Sequence, residues 1–133
     1  MGLQACDYTI SSSSELQQMV EYMCSEVDVI FVPTDTLVVS CMPFVSKVAT
    51  ANKTPIICSE SASVKNGALA TYGMDYYDLG KITARQAVRI LKGEAKPENM
   101  AIEYMKDPKL VINYDVANRL GVVIPDELKG ELQ

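Results

Sequence analysis

The chain has 133 residues, of which 12 are basic and 17 acidic, with a formal net charge of −5 and a mean hydropathy of +0.06. This length suits one domain with a real core, and the acidic balance argues against nucleic-acid binding, which needs a basic surface. No apolar run approaches the roughly 20 residues of a membrane-spanning helix, and the first residues lack the pattern of a secretory signal peptide.

The residue types restrict the chemistry further. The chain contains no histidine, so neither a Ser-His nor a Cys-His catalytic pair can form within it. The four cysteines, at positions 6, 24, 41 and 58, form no CxxC pair, and most lie in apolar segments, which favours reduced core cysteines over zinc ligands or disulfides. Neither a P-loop nor a dinucleotide-binding glycine pattern occurs. We therefore expect a protein that is not an enzyme, with no catalytic residue, metal site or cofactor.

The first predicted elements are a strand, a helix and a second strand. The apolar run at 5–10 indicates a strand, and Ser12-x-x-Glu15 forms a capping box at the start of a helix that ends near Ser25. Residues 27–32 are almost entirely apolar, a pattern typical of a strand that is covered on both faces.

A second helix and two more strands are predicted next. The pattern predicts a helix over 36–51, in which Pro43 marks a kink or a late start. Short apolar runs predict strands at 55–58 and 68–72, and the polar segment 59–67 between them predicts a loop.

The longest predicted helix covers 75–92 and ends at a glycine C-cap. Its expected buried residues are Leu79, Ile82, Ala87, Val88 and Leu91. Residues 94–133 are expected to form a polar connector, crossover strands at 101–104 and 110–113, a short helix at 114–120 and a tail. The alternation of strands and helices predicts one α/β unit over 1–133, a three-layer sandwich with a mostly parallel sheet.

Each of the first four strand runs ends in small polar and acidic residues. If the strands are parallel, these residues share the carboxyl edge of the sheet, where α/β proteins bind ligands. Carboxylates there can accept hydrogen bonds from an ammonium group, and hydroxyls and helix N-termini can bind a carboxylate. The candidate ligand-binding residues are Ser11, Ser12, Thr34, Asp35, Thr36, Ser59, Glu60 and Asp75. Helix capping explains several of them equally well, and four tyrosines, at 8, 72, 76 and 77, lie near the same runs.

Five segments, in order along the chain, resemble a known family. They are Val32-Pro33-Thr34-Asp35, residues 64–80 (VKNGALATYGMDYYDLG), 87–93 (AVRILKG), 106–113 (KDPKLVIN) and 120–125 (LGVVIP). Together they resemble the C-terminal part, mainly the second lobe, of the ABC-transporter substrate-binding family that includes the tryptophan-binding lipoproteins.

The resemblance implies one partial lobe of a type I periplasmic-binding-protein fold. In such proteins a ligand binds between two lobes that close by hinge motion. The function implied is capture of a small amino-acid-like ligand, an aromatic one among the candidates, for an ABC permease. The resemblance also implies an extracytoplasmic lipoprotein, although this chain shows no signal peptide. Residues 94–133 would then contact the first lobe, and Asp35, Thr36, Ser59, Glu60 and Asp75 match positions at the cleft.

The matched part lacks the first lobe and the opening strand and helix of the second. In a lobe with strand order 2-1-3-4-5, the missing strand is the central one. The strands expected at 5–10 and 27–32 would then flank a gap, and unpaired strand edges favour association. We therefore expect a homodimer.

Two alternatives remain open at the level of sequence. A flavodoxin-like or receiver-like domain would use Asp35 as a strand-end acid, and Glu60 with Asp75 could in principle act as an acid–base pair. A receiver, however, should also carry an acidic pair at its first strand, where this chain has only Asp7. The other alternative is a structural oligomer that has lost ligand binding.

Overall fold

The computed structural model describes residues 2–129, which form four strands and seven α-helices around a single sheet. In chain order the elements are α1 (Leu16–Glu26), β1 (Ile30–Val32), α2 (Thr36–Ser40), α3 (Met42–Ala51), β2 (Ile56–Glu60), α4 (Ser61–Lys65), β3 (Ala70–Met74), α5 (Tyr76–Leu91), β4 (Lys109–Ile112), α6 (Tyr114–Leu120) and α7 (Asp126–Lys129). A short 3₁₀ turn, Pro97–Asn99, lies between α5 and β4. No helix in this part of the chain is long and apolar enough to cross a membrane.

The sheet has the strand order β1-β2-β3-β4. The first three strands are parallel, and β4 pairs with β3 in the antiparallel direction. In the register of β1 with β2, Val32 lies beside Cys58, so both strands end at the same edge of the sheet. The predicted α/β class with a mostly parallel sheet is confirmed.

Apolar side chains pack on both faces of this sheet. Successive residues of a strand point to opposite faces, and in β2 Ile56 and Cys58 join one core cluster while Ile57 joins another. The larger cluster is built from β1, β2, α1, α3 and α4, and includes Leu16, Val20, Met23, Ile30, Val32, Met42, Val45, Ala49, Ile56, Cys58, Val64 and Ala68. The smaller one forms around Leu69, Val116 and Ala117, near α6. The sheet is thus the middle of three layers.

The strand predicted at 5–10 does not form, and this corrects the sequence analysis. The run has no regular secondary structure and no sheet partner, although Tyr8 and Ile10 pack against the larger core cluster. A strand exists only when its backbone groups pair with a neighbour, so an apolar alternating pattern alone is insufficient. The helix after it also begins later than predicted, at Leu16.

Two other predicted segments differ near helix starts, although the interruption predicted at Pro43 is present. Residues 36–51 form two helices, because the chain breaks at Cys41 and Pro43 lies in the first turn of α3, where proline is tolerated. Residues 59–67 are not a simple loop, because the side chain of Glu60 caps the short helix α4. Polar residues favour loops in general, but here they provide a cap and a buried contact.

The long helix α5 matches its predicted bounds but not its predicted burial. None of its residues is fully buried, and Val88 and Leu91 are 46% and 86% exposed. The strand predicted at 101–104 is also absent. No strand of the described sheet, which consists of β1 to β4, pairs with that segment. The tail predicted from 122 contains α7, while residues 130–133 and Met1 lie outside the described part.

Candidate functional site

Two hydroxyl groups meet at the carboxyl edge of the sheet. The Thr34 Oγ1 and Ser59 Oγ atoms lie 2.9 Å apart, within hydrogen-bond distance. Thr34 follows the end of β1, and Ser59 lies near the end of β2. The parallel pairing of these strands therefore brings together two of the predicted polar clusters, and the pair can both donate and accept hydrogen bonds.

Gly73 allows this edge to form. The pairing of β2 with β3 shifts register between Cys58 and Glu60, so β3 contains one extra residue, a β-bulge. A Cβ atom on Gly73 would lie 2.3 Å from the Ser59 carbonyl oxygen. Only glycine permits this approach of the two backbones, next to the Ser59 hydroxyl. The sequence analysis missed this residue; its signal was a glycine within a strand pattern that ends in Asp75.

Asp35 and Asp75 flank the edge and also cap helices. One oxygen of Asp35, Oδ1, accepts a hydrogen bond from the Val38 backbone N–H at 2.9 Å. The Oδ1 atom of Asp75 accepts one from the Tyr77 N–H at 2.8 Å. Each carboxylate keeps its Oδ2 atom free of hydrogen bonds among residues 2–129. Capping and ligand binding are therefore compatible at both positions, because the cap uses only half of the group.

Glu60 has a different environment from the two aspartates. Its side chain is buried, and its oxygens accept hydrogen bonds from the Ala62 and Ser63 backbone N–H groups, both at 2.8 Å, and from the Ser63 hydroxyl. Both carboxylate oxygens are thus engaged inside the protein. The geometry makes Glu60 an anchor of α4 below the edge, where it holds the end of β2 in place.

The remaining predicted residues are less closely grouped. Thr36 is exposed and begins α2, next to Asp35. Ser11 and Ser12 follow the run that forms no strand, so the structure does not place them at a strand end. The predicted capping box is altered as well: the Ser11 N–H donates to the Glu15 carboxylate at 3.2 Å, and the Ser12 and Ser14 hydroxyls are 2.8 Å apart.

Exposed aromatic rings and charges extend the edge beyond β3. Tyr76 and Tyr77 begin α5 and are 49% and 73% exposed, and the Lys81 ammonium lies 4.2 Å from the centroid of the Tyr77 ring. Hydrogen bonds from Lys81 and then Lys109 lower the pKa of Asp78. Tyr8, in contrast, is half-buried against the larger core cluster and packs edge-on against Tyr22, with ring centroids 6.0 Å apart.

The chemistry that the residues at this edge offer is hydrogen bonding. Among the residues that the structure describes, no group of three His, Cys, Asp or Glu side chains could hold a metal ion. Cys58 is buried directly beneath the edge, and desolvation raises its pKa to about 11, which keeps the thiol protonated and unreactive at neutral pH. What the edge can do is bind a small molecule that carries both donors and acceptors.

Comparison with known proteins identifies the family. The family model described as ABC transporter substrate binding protein matches residues 1–131. A curated relative, the tyrosine-binding protein of Clostridioides difficile, is 42% identical over 113 residues, covering 85% of this chain and 32% of the relative. The chain therefore spans about a third of that relative's length.

Solved structures agree with this assignment. A Streptococcus pneumoniae ABC domain in complex with L-Trp has a TM-score of 0.84 and 35% identity, covering 95% of this chain and 43% of its own. The ligand-free, open structure of a Clostridium difficile substrate-binding protein with adhesive properties has a TM-score of 0.68 and 41% identity, over 88% of this chain and 39% of its own. The members of this family are substrate-binding proteins and not enzymes. The chain belongs to the family of ABC transporter substrate-binding proteins.

Proposed function

We propose that the chain forms one wall of an amino-acid-binding cleft, and that its ligands are L-amino acids with aromatic side chains. The observation that carries this proposal is the Thr34–Ser59 hydroxyl pair, 2.9 Å apart, with half-engaged carboxylates nearby at Asp35 and Asp75. Relatives named for tyrosine binding and solved with L-Trp support the choice of an aromatic ligand.

The proposed contacts follow from the charges of an amino acid. Its ammonium group needs acceptors, and the free Oδ2 atoms of Asp35 and Asp75 provide charge-assisted ones. Its carboxylate needs donors, which the two hydroxyls supply. The exposed rings of Tyr76 and Tyr77 give an apolar and polarisable surface for the aromatic side chain. One wall alone leaves much of a ligand in water, so binding by this chain should be weak.

In the whole system, the cleft would deliver its ligand to an ABC permease. The proposal includes an extracytoplasmic location with a lipid anchor, because a captured solute must be released at the outer face of the membrane to be imported. This part of the proposal rests on the membership of the chain in the family of ABC transporter substrate-binding proteins. Proteoliposomes that contain the cognate permease would test it, because transport of labelled L-Trp should depend on the added binding protein.

We further propose that the chain associates as a homodimer through α5. Ala84, Val88 and Leu91 follow the i, i+4, i+7 spacing of one helix face, and Leu91 is 86% exposed. An uncovered apolar face of this kind favours association, most often as a two-fold pair. Light scattering at several concentrations should give a dimer mass for the native chain and a monomer mass for Leu91→Lys. A monomer mass for the native chain would remove this part of the proposal.

Calorimetry on the chain tests the ligand proposal. L-Trp, L-Tyr and L-Phe should bind more tightly than L-Ala, while tryptamine, which lacks the carboxylate, and indole-3-propionate, which lacks the ammonium, should bind less tightly than L-Trp. This order would show that both ends of the amino acid and its ring are recognised. Absence of heat with every ligand up to millimolar concentrations would support the alternative of a structural protein without ligand binding.

A further inference from the structure

A groove between α3 and α6 carries positive charge. It has a volume of about 520 Å³, within the usual range of small-molecule sites. Lys47 on α3, Lys53 just after α3 and Arg119 on α6 line it, and no acidic side chain lies among the described residues of its lining. The chain as a whole has a net charge of −5. Lys53 precedes β2, whereas Ser59 lies near the end of that strand, so the groove is separate from the ligand edge.

The backbone of Lys53 has a conformation that favours glycine. Its φ is 61°, and it directly follows the C-cap residue of α3. At the ends of α5 and α6 the same left-handed region is occupied by glycines, Gly93 and Gly121. A lysine in this region costs free energy that glycine does not, and such strained residues cluster at functional sites. The side chain of Lys53 therefore calls for an explanation beyond the geometry of the turn.

Helix capping accounts for only part of the positive charge. The Lys53 ammonium donates to the Arg119 carbonyl at 2.5 Å, near the end of α6, where a cation offsets the helix dipole. An ammonium group has three donors, so this bond leaves two of them for a ligand. Lys47 lies in the middle of α3, away from either helix end. Neither Lys47 nor Arg119 forms an ion pair within residues 2–129, so their charges are also available.

The other lining groups add one hydroxyl donor and an apolar surface. Thr50 is half-buried, and its hydroxyl forms no hydrogen bond with another group of residues 2–129, so it can donate to a ligand. The buried Ser46 hydroxyl, in contrast, already donates to the carbonyls of Pro43 and Asn66. Pro43 and the buried Val116 supply apolar surface beside the cations. The groove thus combines donors for an anion with a surface for an uncharged group.

We propose that this groove binds a phosphate monoester group, carried by a small soluble ester or by a lipid headgroup. Such a group has three terminal oxygens and a charge of about −1.5 to −2 at pH 7, which suits three cations better than the single charge of a carboxylate. The planar fork of Arg119 can donate two parallel hydrogen bonds to these oxygens, and the two ammonium groups and the Thr50 hydroxyl can donate to the others. The remainder of the ester lies on Pro43 and Val116.

An NMR titration of the isotope-labelled chain with phenyl phosphate, at constant ionic strength, tests this site. Saturable shifts should appear at the amides of Lys47, Lys53 and Arg119, and benzoate, which carries a carboxylate instead, should bind at least about tenfold more weakly. Lys53→Gly should weaken binding of phenyl phosphate at least about fivefold. It should not lower the melting temperature, because glycine suits this backbone conformation. The matched control, Lys92→Ala, removes an exposed lysine at the end of α5 and should leave binding unchanged.

Vesicles of phosphatidylcholine, with and without phosphatidic acid, distinguish the two sources of the phosphate group. Co-sedimentation that requires phosphatidic acid and is lost in Lys53→Gly identifies a lipid headgroup, and binding of phenyl phosphate without co-sedimentation identifies a soluble ester.

Several results would overturn the proposal. They are shifts that do not saturate at millimolar phenyl phosphate, shifts centred on Thr34 and Ser59 instead, equal binding of benzoate, and equal weakening by Lys92→Ala and Lys53→Gly. Unchanged binding with a lower melting temperature in Lys53→Gly would show that Lys53 only stabilises the helix ends.

Discussion

The hydroxyl oxygens of Thr34 and Ser59 lie 2.9 Å apart although 25 residues separate them in the chain. They meet because β1 and β2 run in parallel and end together, with Val32 beside Cys58. The bulge at Tyr72 and Gly73 then brings the backbone of β3 close to Ser59. Strand pairing and the bulge therefore fix the positions of the polar groups at this sheet edge. The proposed ligand site depends on this arrangement.

Asp35→Asn and Asp75→Asn should each weaken binding of L-Trp without unfolding the chain. Asparagine caps helices about as well as aspartate, so the melting temperature should change little. The lost charge removes a charge-assisted hydrogen bond to the ammonium group, at a cost of at least about 1 kcal/mol, or roughly fivefold in Kd. Calorimetry and thermal melts on the same samples check this. Unchanged affinity with a lower melting temperature would mean that both residues are only caps.

Glu60→Gln should have the opposite effect: it should lower the stability of the chain and leave its affinity for L-Trp nearly unchanged. The buried carboxylate accepts two backbone N–H groups and a hydroxyl, and an amide cannot accept on its nitrogen. A buried donor left without a partner costs about 1–3 kcal/mol. We expect this loss in urea unfolding, with L-Trp affinity little changed wherever the variant is fully folded. Reduced affinity in the folded state at an unchanged free energy of unfolding would place Glu60 in the ligand shell.

Gly73→Ala should destabilise the chain, because a Cβ atom would lie 2.3 Å from the Ser59 carbonyl oxygen. The strands must move apart, at a cost of about 1–3 kcal/mol. Gly80→Ala is the matched control: it lies within α5, and its Cβ would meet nothing within 4 Å. That substitution should stabilise the helix by up to about 1 kcal/mol. Equal effects of the two substitutions in urea unfolding would contradict the close approach of β2 and β3.

The chain should lose stability at high pH through Cys58. Burial raises the pKa of this thiol from 9.0 to about 11, so the folded state keeps its proton over a range in which the unfolded state releases it. The associated stability is complete below pH 9 and is lost as pH rises from 9 to 11, with a slope of up to about 1.4 kcal/mol per pH unit. The difference between the native chain and Cys58→Ala isolates this effect from other titrations. If the free energy of unfolding fell with pH equally in the two proteins between pH 9 and 11, the pKa of Cys58 would not be raised.

The sequence allowed much of the sheet to be predicted, because Val32, Cys58 and Thr71 belong to short apolar runs that end in polar residues. It failed where an element depends on a partner. Residues 5–10 have a strand pattern, but a pattern cannot supply the neighbouring strand that pairing requires. Leu91 fits a helical stripe, but whether that stripe is covered depends on tertiary contacts.

Capping was the other source of difference between prediction and structure. Asp35, Glu60 and Asp75 all follow strands, and sequence cannot tell how many oxygens of each carboxylate serve the following helix. The structure separates them: two keep one oxygen free, and Glu60 keeps none. The structural role of Gly73 depends on a backbone distance that no local pattern encodes.

The most direct test of the ligand face is an NMR titration of the isotope-labelled chain with L-Trp. We expect saturable shifts of the amides of Thr34, Ser59 and Asp75, with little change at Lys53 and Gly67, which precede β2 and β3 at the opposite edge of the sheet. Thr34→Val should reduce those shifts at equal ligand concentration. Shifts centred on Lys53 and Gly67, or no saturable shift at the carboxyl edge, would contradict this expectation.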